Sequence, residues 1–275
     1  MPVLISESEE AMTVDIHPSS FIAKGAKIGK GVKIGPFCSI SENVELGDNT
    51  TLISHVVIDG HTKLGSGNTI YPHVAIGLPP QDLSYKGAPT KVEIGDNNTI
   101  REGVTIHRAT LKENQLTKIG NNNYLMCYVH VAHDVVLENN CIITNSVNIA
   151  GHVRIGDNCI IGGGTNISQF VKLGRGAYIG GGSGIDRDIP PFCTALGNRI
   201  KLKGINIIGL KRRGVPKNEI SEMVDFFRQM EASSLSPKAF LEKTPEISEF
   251  MSNTYISELS KFIIESEIGI APFNY

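Results

Sequence analysis

The sequence predicts an all-β fold, a parallel β-helix of hexapeptide repeats, followed by a C-terminal α-helical tail. Three observations carry that prediction. Aliphatic residues recur every six positions over most of the 275 residues, the pair Pro190-Pro191 ends the recurrence, and apolar residues return at helical spacing beyond about residue 214. A period of six fits neither a helix, at about 3.6, nor a lone strand, at about 2, so it belongs to a supersecondary unit stacked on copies of itself.

The first register runs at six-residue steps from Ile16 to Ile76, the second comprises Ile94, Ile100 and Ile106, and the third runs unbroken from Ile119 to Ile185. Gly often follows the aliphatic residue, as at Gly35, Gly47 and Gly120, and suits a corner. Four positions after the aliphatic comes a small or β-branched residue such as Val32, Cys38, Val44 or Thr165, compact enough to fill a tight triangular section. Asp48-Asn49, Asp96-Asn97 and Asp157-Asn158 supply residues that tolerate left-handed backbone.

Two interruptions stand out. The stretch 77–93 carries three prolines, and a second insertion covers about Leu111 to Thr117. Excursions from a solenoid cost little closure entropy and collect where function is, so both are binding-loop candidates as well as tolerated insertions. The prolines at 190 and 191 stop the strand ladder. Pro216 then suits the first position of a helix, with Ile220, Met223, Val224, Phe227 and Met230 on one face. Amphipathic stretches follow at Pro237–Lys243 and Tyr255–Glu265. The expected division is 1–191 for the β-helix, 192–213 for a basic connector and 214–275 for a helical domain that covers the open coil edge.

Formal charge is −2, with ten acids against five bases in 214–275. No overall field favours nucleic acid, and the chain lacks Trp and an aromatic RNA platform. Arg199, Lys201, Lys203, Lys211, Arg212 and Arg213 form an acid-free basic run, readable as a solvated face or as an anion site. Five cysteines without Cys-x-x-Cys spacing suit a reduced, cytoplasmic protein. Met1 to Glu10 is acidic and lacks an apolar core, and no stretch approaches the roughly 18 apolar residues of a membrane span.

Three hexads make one coil, so residues 18 apart stack on one face at about 4.8 Å. His133 then stacks on Gly151, Asp134 on His152, and His130 on Asn148 and Asn166. An imidazole beside a position without a side chain, with a carboxylate along the same edge, suits acyl transfer to an alcohol. The histidine takes the hydroxyl proton, and an exposed backbone N–H receives the oxyanion.

The repeat resembles that of the hexapeptide acyltransferases, which implies a left-handed coil. Longer strings sharpen the likeness, among them Pro80-Gln-Asp-Leu83, Tyr85-Lys-Gly-Ala-Pro-Thr90, Thr105-Ile-His-Arg108, His130-Val-Ala-His-Asp134, Ala150-Gly-His152 and Gly209-Leu-Lys-Arg-Arg-Gly214. These resemble the branch that acylates UDP-N-acetylglucosamine at the start of lipid A synthesis. That resemblance implies His133 as general base on the sugar 3-hydroxyl, Asp134 as its orienter and Gly151 as oxyanion donor. It implies that Asp82, His130, His152, Gln169, Asn206, Arg212 and Arg213 bind substrate. It also implies a homotrimer with sites between subunits, no metal or other cofactor, and a 3-hydroxyacyl chain carried on the phosphopantetheine of acyl carrier protein. Gly181, near the position that sets chain length, leaves a tunnel open for a long chain.

Ser84, Ser168 and Ile208 depart from the family pattern and remove two cations and one acid from the expected sugar-nucleotide cleft. A related UDP-amino-sugar is therefore a second possible acceptor. The repeat is also compatible with an acetyl-CoA-dependent hexapeptide transferase, with a non-catalytic trimeric β-helix, and with a metal-dependent hydratase holding zinc through His130, His133 and His152.

Overall fold

A computed structural model describes residues 13–273. The acidic stretch Met1 to Glu10 lies outside the described residues. The hexads fold into three sheets of 11, 9 and 8 strands, parallel except for the last pair of the largest, the walls of a left-handed triangular β-helix. Most strands are two residues long, such as His130–Val131 and Val136–Leu137, and each aliphatic of the register points inward. From Ile34 onward these residues are buried, as are the compact fillers Val32, Cys38, Val44 and Val147. A triangular section leaves room for one large and one small side chain per wall, which is why both slots recur.

The corners divide two jobs between two positions. The glycine after each aliphatic residue answers to close approach: a β-carbon at Gly35 would stand 1.8 Å from the Ile53 carbonyl oxygen of the next coil. Left-handed backbone falls two residues later, where Asn49, Asn97 and Asn158 have φ of 57°, 56° and 60°. Bulkier residues also take that slot, including Asp134, His152 and Phe170 at 60°, 65° and 66°.

Both insertions leave the ladder in phase. Leu64 pairs with Ile94 and Ile94 with Ile119, 30 and 25 positions apart instead of 18. The extra residues are extruded at one place in the coil, beside the corner that follows.

At the C-terminal end the ladder runs one strand past Pro190-Pro191, where the sequence predicts its stop: Cys193–Leu196 pairs in parallel with Tyr178–Ile179, and its antiparallel partner Lys201–Ile205 forms the edge of the 11-stranded sheet. The basic stretch 192–213 is thus structured, with Lys211 and Arg212 in the last turn of helix α1 (Ile207–Arg212), where cations complement the helix dipole. Helix α2 (Lys217–Ala232) has Pro216 as its N-cap and buries Ile220, Met223, Phe226, Phe227 and Met230. Val224 sits at the margin of that face. Helices α3 (Pro237–Lys243) and α4 (Thr254–Glu265) follow. The chain then returns to the coil through bridges from Asp188 to Ile270 and from Leu202 to Phe273.

Candidate active site

The corner between the 9-stranded and 8-stranded sheets collects the residues that the 18-residue phase aligns. His130 pairs with Asn148, and Asn148 with Asn166. His133 lies directly over Gly151, where an added β-carbon would stand 2.4 Å from His133 Cε1 and 2.8 Å from Nε2. The glycine is what admits the imidazole.

Asp134 ties the corner together. Its Oδ2 lies 2.9 Å from His133 Nδ1 and 3.8 Å from His152 Nε2. The same oxygen accepts from the Thr110 N–H at 3.1 Å and from the Thr110 hydroxyl at 2.7 Å. The Asp134 N–H donates to Thr117 Oγ1 at 2.9 Å, and Arg154 donates to the Asp134 carbonyl oxygen. Burial pushes the carboxyl upward, but the bonds from His133 and Thr110 outweigh it and hold the group below the ordinary aspartate value. An ionised Asp134 accepts only, so the His133 Nδ1 that faces it is a donor.

Two more histidines line this face. His130 Nδ1 lies 2.7 Å from Thr105 Oγ1, and burial, then the nearness of His133, draws its pKa down. His107 is buried with its ring 5.0 Å from that of His130, and its Nδ1 finds no hydrogen-bond partner among the described residues. Burial first, then His130 and His133, lowers it to about 4.

A cleft of about 350 Å³ opens along the corner, lined by Gln81, His130, His133, Asn148, Gly151 and Gln169. Asp82 is tied in from the proline-rich loop. Lys112 Nζ reaches its Oδ2 at 2.6 Å, while the Lys112 N–H donates to Thr110 Oγ1 at 3.2 Å. Ser84 donates to Asp82 Oδ1 through its N–H at 2.8 Å and its hydroxyl at 2.5 Å. Lys112 and Ser84 together hold Asp82 well below the usual carboxylate range. The serine that departs from the family pattern therefore orients the nearby acid.

Four of the expected site residues lie apart from this corner within one chain. Gly181 sits on the corner between the 11-stranded and 9-stranded sheets, with its ideal β-carbon position 3.1 Å from the Gly163 carbonyl oxygen. Asn206 caps α1: its Oδ1 accepts from the Gly209 N–H and its Nδ2 donates to the Gly176 carbonyl, both at 3.0 Å. Arg212 and Arg213 are both exposed, and the Arg213 guanidinium lies against Gly176, where partial desolvation, then the charge of Arg175, draws its pKa down.

Sequence reasoning missed Thr110, Thr117, Glu113 and Arg154. The available signal was the second insertion: it leaves the coil one turn before His133, and Thr110 and Thr117 flank it.

His133, Asp134 and His152 present ligand atoms within 4.8 Å of one another. Internal bonds engage that set, because Asp134 Oδ2 serves His133 and Thr110 while His152 Nδ1 faces Glu113 Oε1 at 2.8 Å. Among the described residues of one chain His130 is not grouped with His133 and His152, and its Nδ1 faces Thr105 Oγ1.

Residues 188–271 match the family described as Udp N-acetylglucosamine O-acyltransferase, domain 2, and residues 25–60, 116–151 and 152–187 match the bacterial transferase hexapeptide. The chain is 44% identical over 260 residues to the acyl-[acyl-carrier-protein]–UDP-N-acetylglucosamine O-acyltransferase of Thermodesulfovibrio yellowstonii, covering 93% of this chain and 98% of the relative. Among solved structures, the UDP-N-acetylglucosamine acyltransferase of Bacteroides fragilis superposes with a TM-score of 0.89 at 42% identity, over 93% of this chain and 99% of the other. The Arabidopsis UDP-N-acetylglucosamine acyltransferase gives 0.82 at 32% identity, again over 93% and 99%.

Proposed function

The chain belongs to the UDP-N-acetylglucosamine O-acyltransferase family, and on that premise we propose that it transfers a 3-hydroxyacyl chain from acyl carrier protein to the 3-hydroxyl of UDP-N-acetylglucosamine, the first step of lipid A biosynthesis. The observation that carries the mechanism is His133, seated on Gly151 and held through Nδ1 by the buried Asp134 carboxylate at 2.9 Å.

With Nδ1 so held, Nε2 takes the proton of the sugar hydroxyl as its oxygen attacks the thioester carbon. A general base placed this way contributes roughly 10²–10⁴ in rate. The carbonyl oxygen becomes an oxyanion, and the Gly151 N–H is the proposed donor to it. Its neighbours along the chain are committed to the ladder, Ala150 N–H to Ile167 O and His152 N–H to His133 O, while among the described residues the Gly151 N–H meets no backbone carbonyl. Collapse of the tetrahedral intermediate breaks the C–S bond, and the His133 imidazolium returns the proton to the departing phosphopantetheine thiolate. The scheme needs no metal or other cofactor.

Asp82, His130, His152 and Gln169 are proposed to bind the sugar nucleotide from the His133 side. Gly181, Asn206, Arg212 and Arg213 stand apart from His133 in one chain, which supports a homotrimer whose neighbouring subunit completes the site. The basic run would then meet phosphate, and Gly181 would leave room for a long acyl chain. We assign 1–191 to the catalytic coil, 192–213 to the phosphate-facing connector and 214–275 to the helical cover. No described helix is long and apolar enough to cross a membrane. A cytoplasmic location is proposed from the acyl-carrier-protein donor and UDP-sugar acceptor that the proposed reaction uses.

The acceptor has a second reading. Ser84 is spent on Asp82, and Ile208, 66% exposed, offers no charge, so a related UDP-amino-sugar is the alternative. Mass spectrometry of products from a panel of 3-hydroxyacyl carrier proteins and the two UDP-sugars tests both. Faster turnover with the 3-amino sugar would shift the assignment to it. Replacing His133 by Ala should abolish transfer, and substantial remaining activity would remove the general base.

A further inference from the structure

Glu113 stands on the second insertion, outside the hexad pattern, and makes two contacts at the catalytic corner. Its Oε1 lies 2.8 Å from His152 Nδ1, and its Oε2 pairs with Arg154. The opposite nitrogen of His152 faces Asp134 Oδ2 at 3.8 Å, and Arg154 donates to the Asp134 carbonyl oxygen. These contacts run from the Asp134 carboxylate, by an electrostatic contact beyond hydrogen-bond distance, through His152, Glu113 and Arg154 to the main-chain carbonyl of the same residue, which holds His133. Phe170 stacks flat on His152, centroids 4.6 Å apart and planes at 8°.

We propose that Glu113 is a positioning residue for acyl transfer: anchored by Arg154, it fixes His152 against Asp134 and so holds the Asp134 carboxylate in the orientation that His133 needs. A Glu113 to Arg154 pair alone, with both side chains about one-third exposed, would contribute little. The contact to His152 differs, because that imidazole is only 3% exposed and cannot turn to water for a replacement acceptor. Lys172 and Asp188 line the same recess of about 240 Å³ and are the other charged groups of the coil near His152.

The inference rests on acyl transfer as the reaction, and the test has two arms. In kinetics, Glu113→Ala should lower kcat about tenfold, and Glu113→Gln, which keeps an acceptor, should recover part of the loss. In a His152→Ala background the same Glu113→Ala change should cost nothing further, since Glu113 acts through that ring. A Glu113→Ala kcat within twofold of wild type, or an undiminished loss in the His152→Ala background, would overturn the assignment. In crystallography, the Glu113→Ala protein should show His152 in more than one rotamer, and an unchanged His152 with an unchanged Asp134 would overturn it independently of turnover. If the unsubstituted protein transfers no acyl chain to either UDP-sugar, the reaction has been misassigned, and the crystallographic arm still decides what Glu113 positions. Glu113→Gln serves both arms should the alanine variant not fold.

Discussion

Replacing Gly151 by Ala is the sharpest probe of the catalytic corner. The added methyl carbon would lie 2.4 Å from His133 Cε1, 2.8 Å from Nε2 and 3.0 Å from Nδ1. Carbon atoms in ordinary contact sit about 3.5–4.0 Å apart, so the ring must retreat by more than about 1 Å. It has little room, being only 5% exposed and bonded at 2.9 Å to a fully buried carboxylate. Gly151 is not among the glycines with positive φ, so the methyl brings no backbone strain and the whole effect falls on the imidazole. A misplacement of about 1 Å costs about 100-fold in rate, and overpacking of this kind costs about 1–3 kcal/mol. Initial rates with 3-hydroxyacyl carrier protein and UDP-N-acetylglucosamine should therefore fall about 100-fold, with a modest loss in melting temperature. In a His133→Ala background the same change should cost almost no stability, because the obstructing ring is gone. Turnover of Gly151→Ala within about threefold of wild type would refute the placement of His133 over Gly151.

Thr110→Val should destabilise the protein by about 1–3 kcal/mol, because it removes a hydroxyl donor from the buried Asp134 oxygen, and urea denaturation measures this directly. Asp134 is held below its unfolded value near 3.8, so its ionised form adds stability that is fully present above that pH and fades as pH falls through the folded value. The stability gap between wild type and Asp134→Asn should therefore be constant near neutrality and close in acid, and a gap that persists in strong acid would contradict it. His107, lowered to about 4 from an unfolded value of 6.5, stays neutral in the fold while the unfolded chain takes up a proton below 6.5. Between pH 6.5 and 4 this should remove up to about 3 kcal/mol of stability, a slope that His107→Gln flattens in denaturation curves taken across that window.

Much of the corner was legible from spacing. The 18-residue phase placed His133 on Gly151, Asp134 beside His152 and His130 under Asn148, because a rigid ladder fixes which residue stands one turn away. Asn49, Asn97 and Asn158 were likewise readable as left-handed positions, since their side chains tolerate that backbone. The loop contacts were not legible. Thr110 and Glu113 reach Asp134 and His152 from an extruded loop whose path no periodicity describes. That His107 Nδ1 meets no hydrogen-bond partner among the described residues depends on which groups happen to surround it.

The sequence by itself determined the coil, its two interruptions and the pairing of residues one turn apart, because a strand ladder converts linear distance into spatial distance by a fixed rule. Only the tertiary structure decided which nitrogen of His133 meets Asp134, that Ser84 orients Asp82, and that Glu113 meets both His152 and Arg154. Hydrogen bonds are directional over a few tenths of an ångström, a scale that a six-residue period does not resolve.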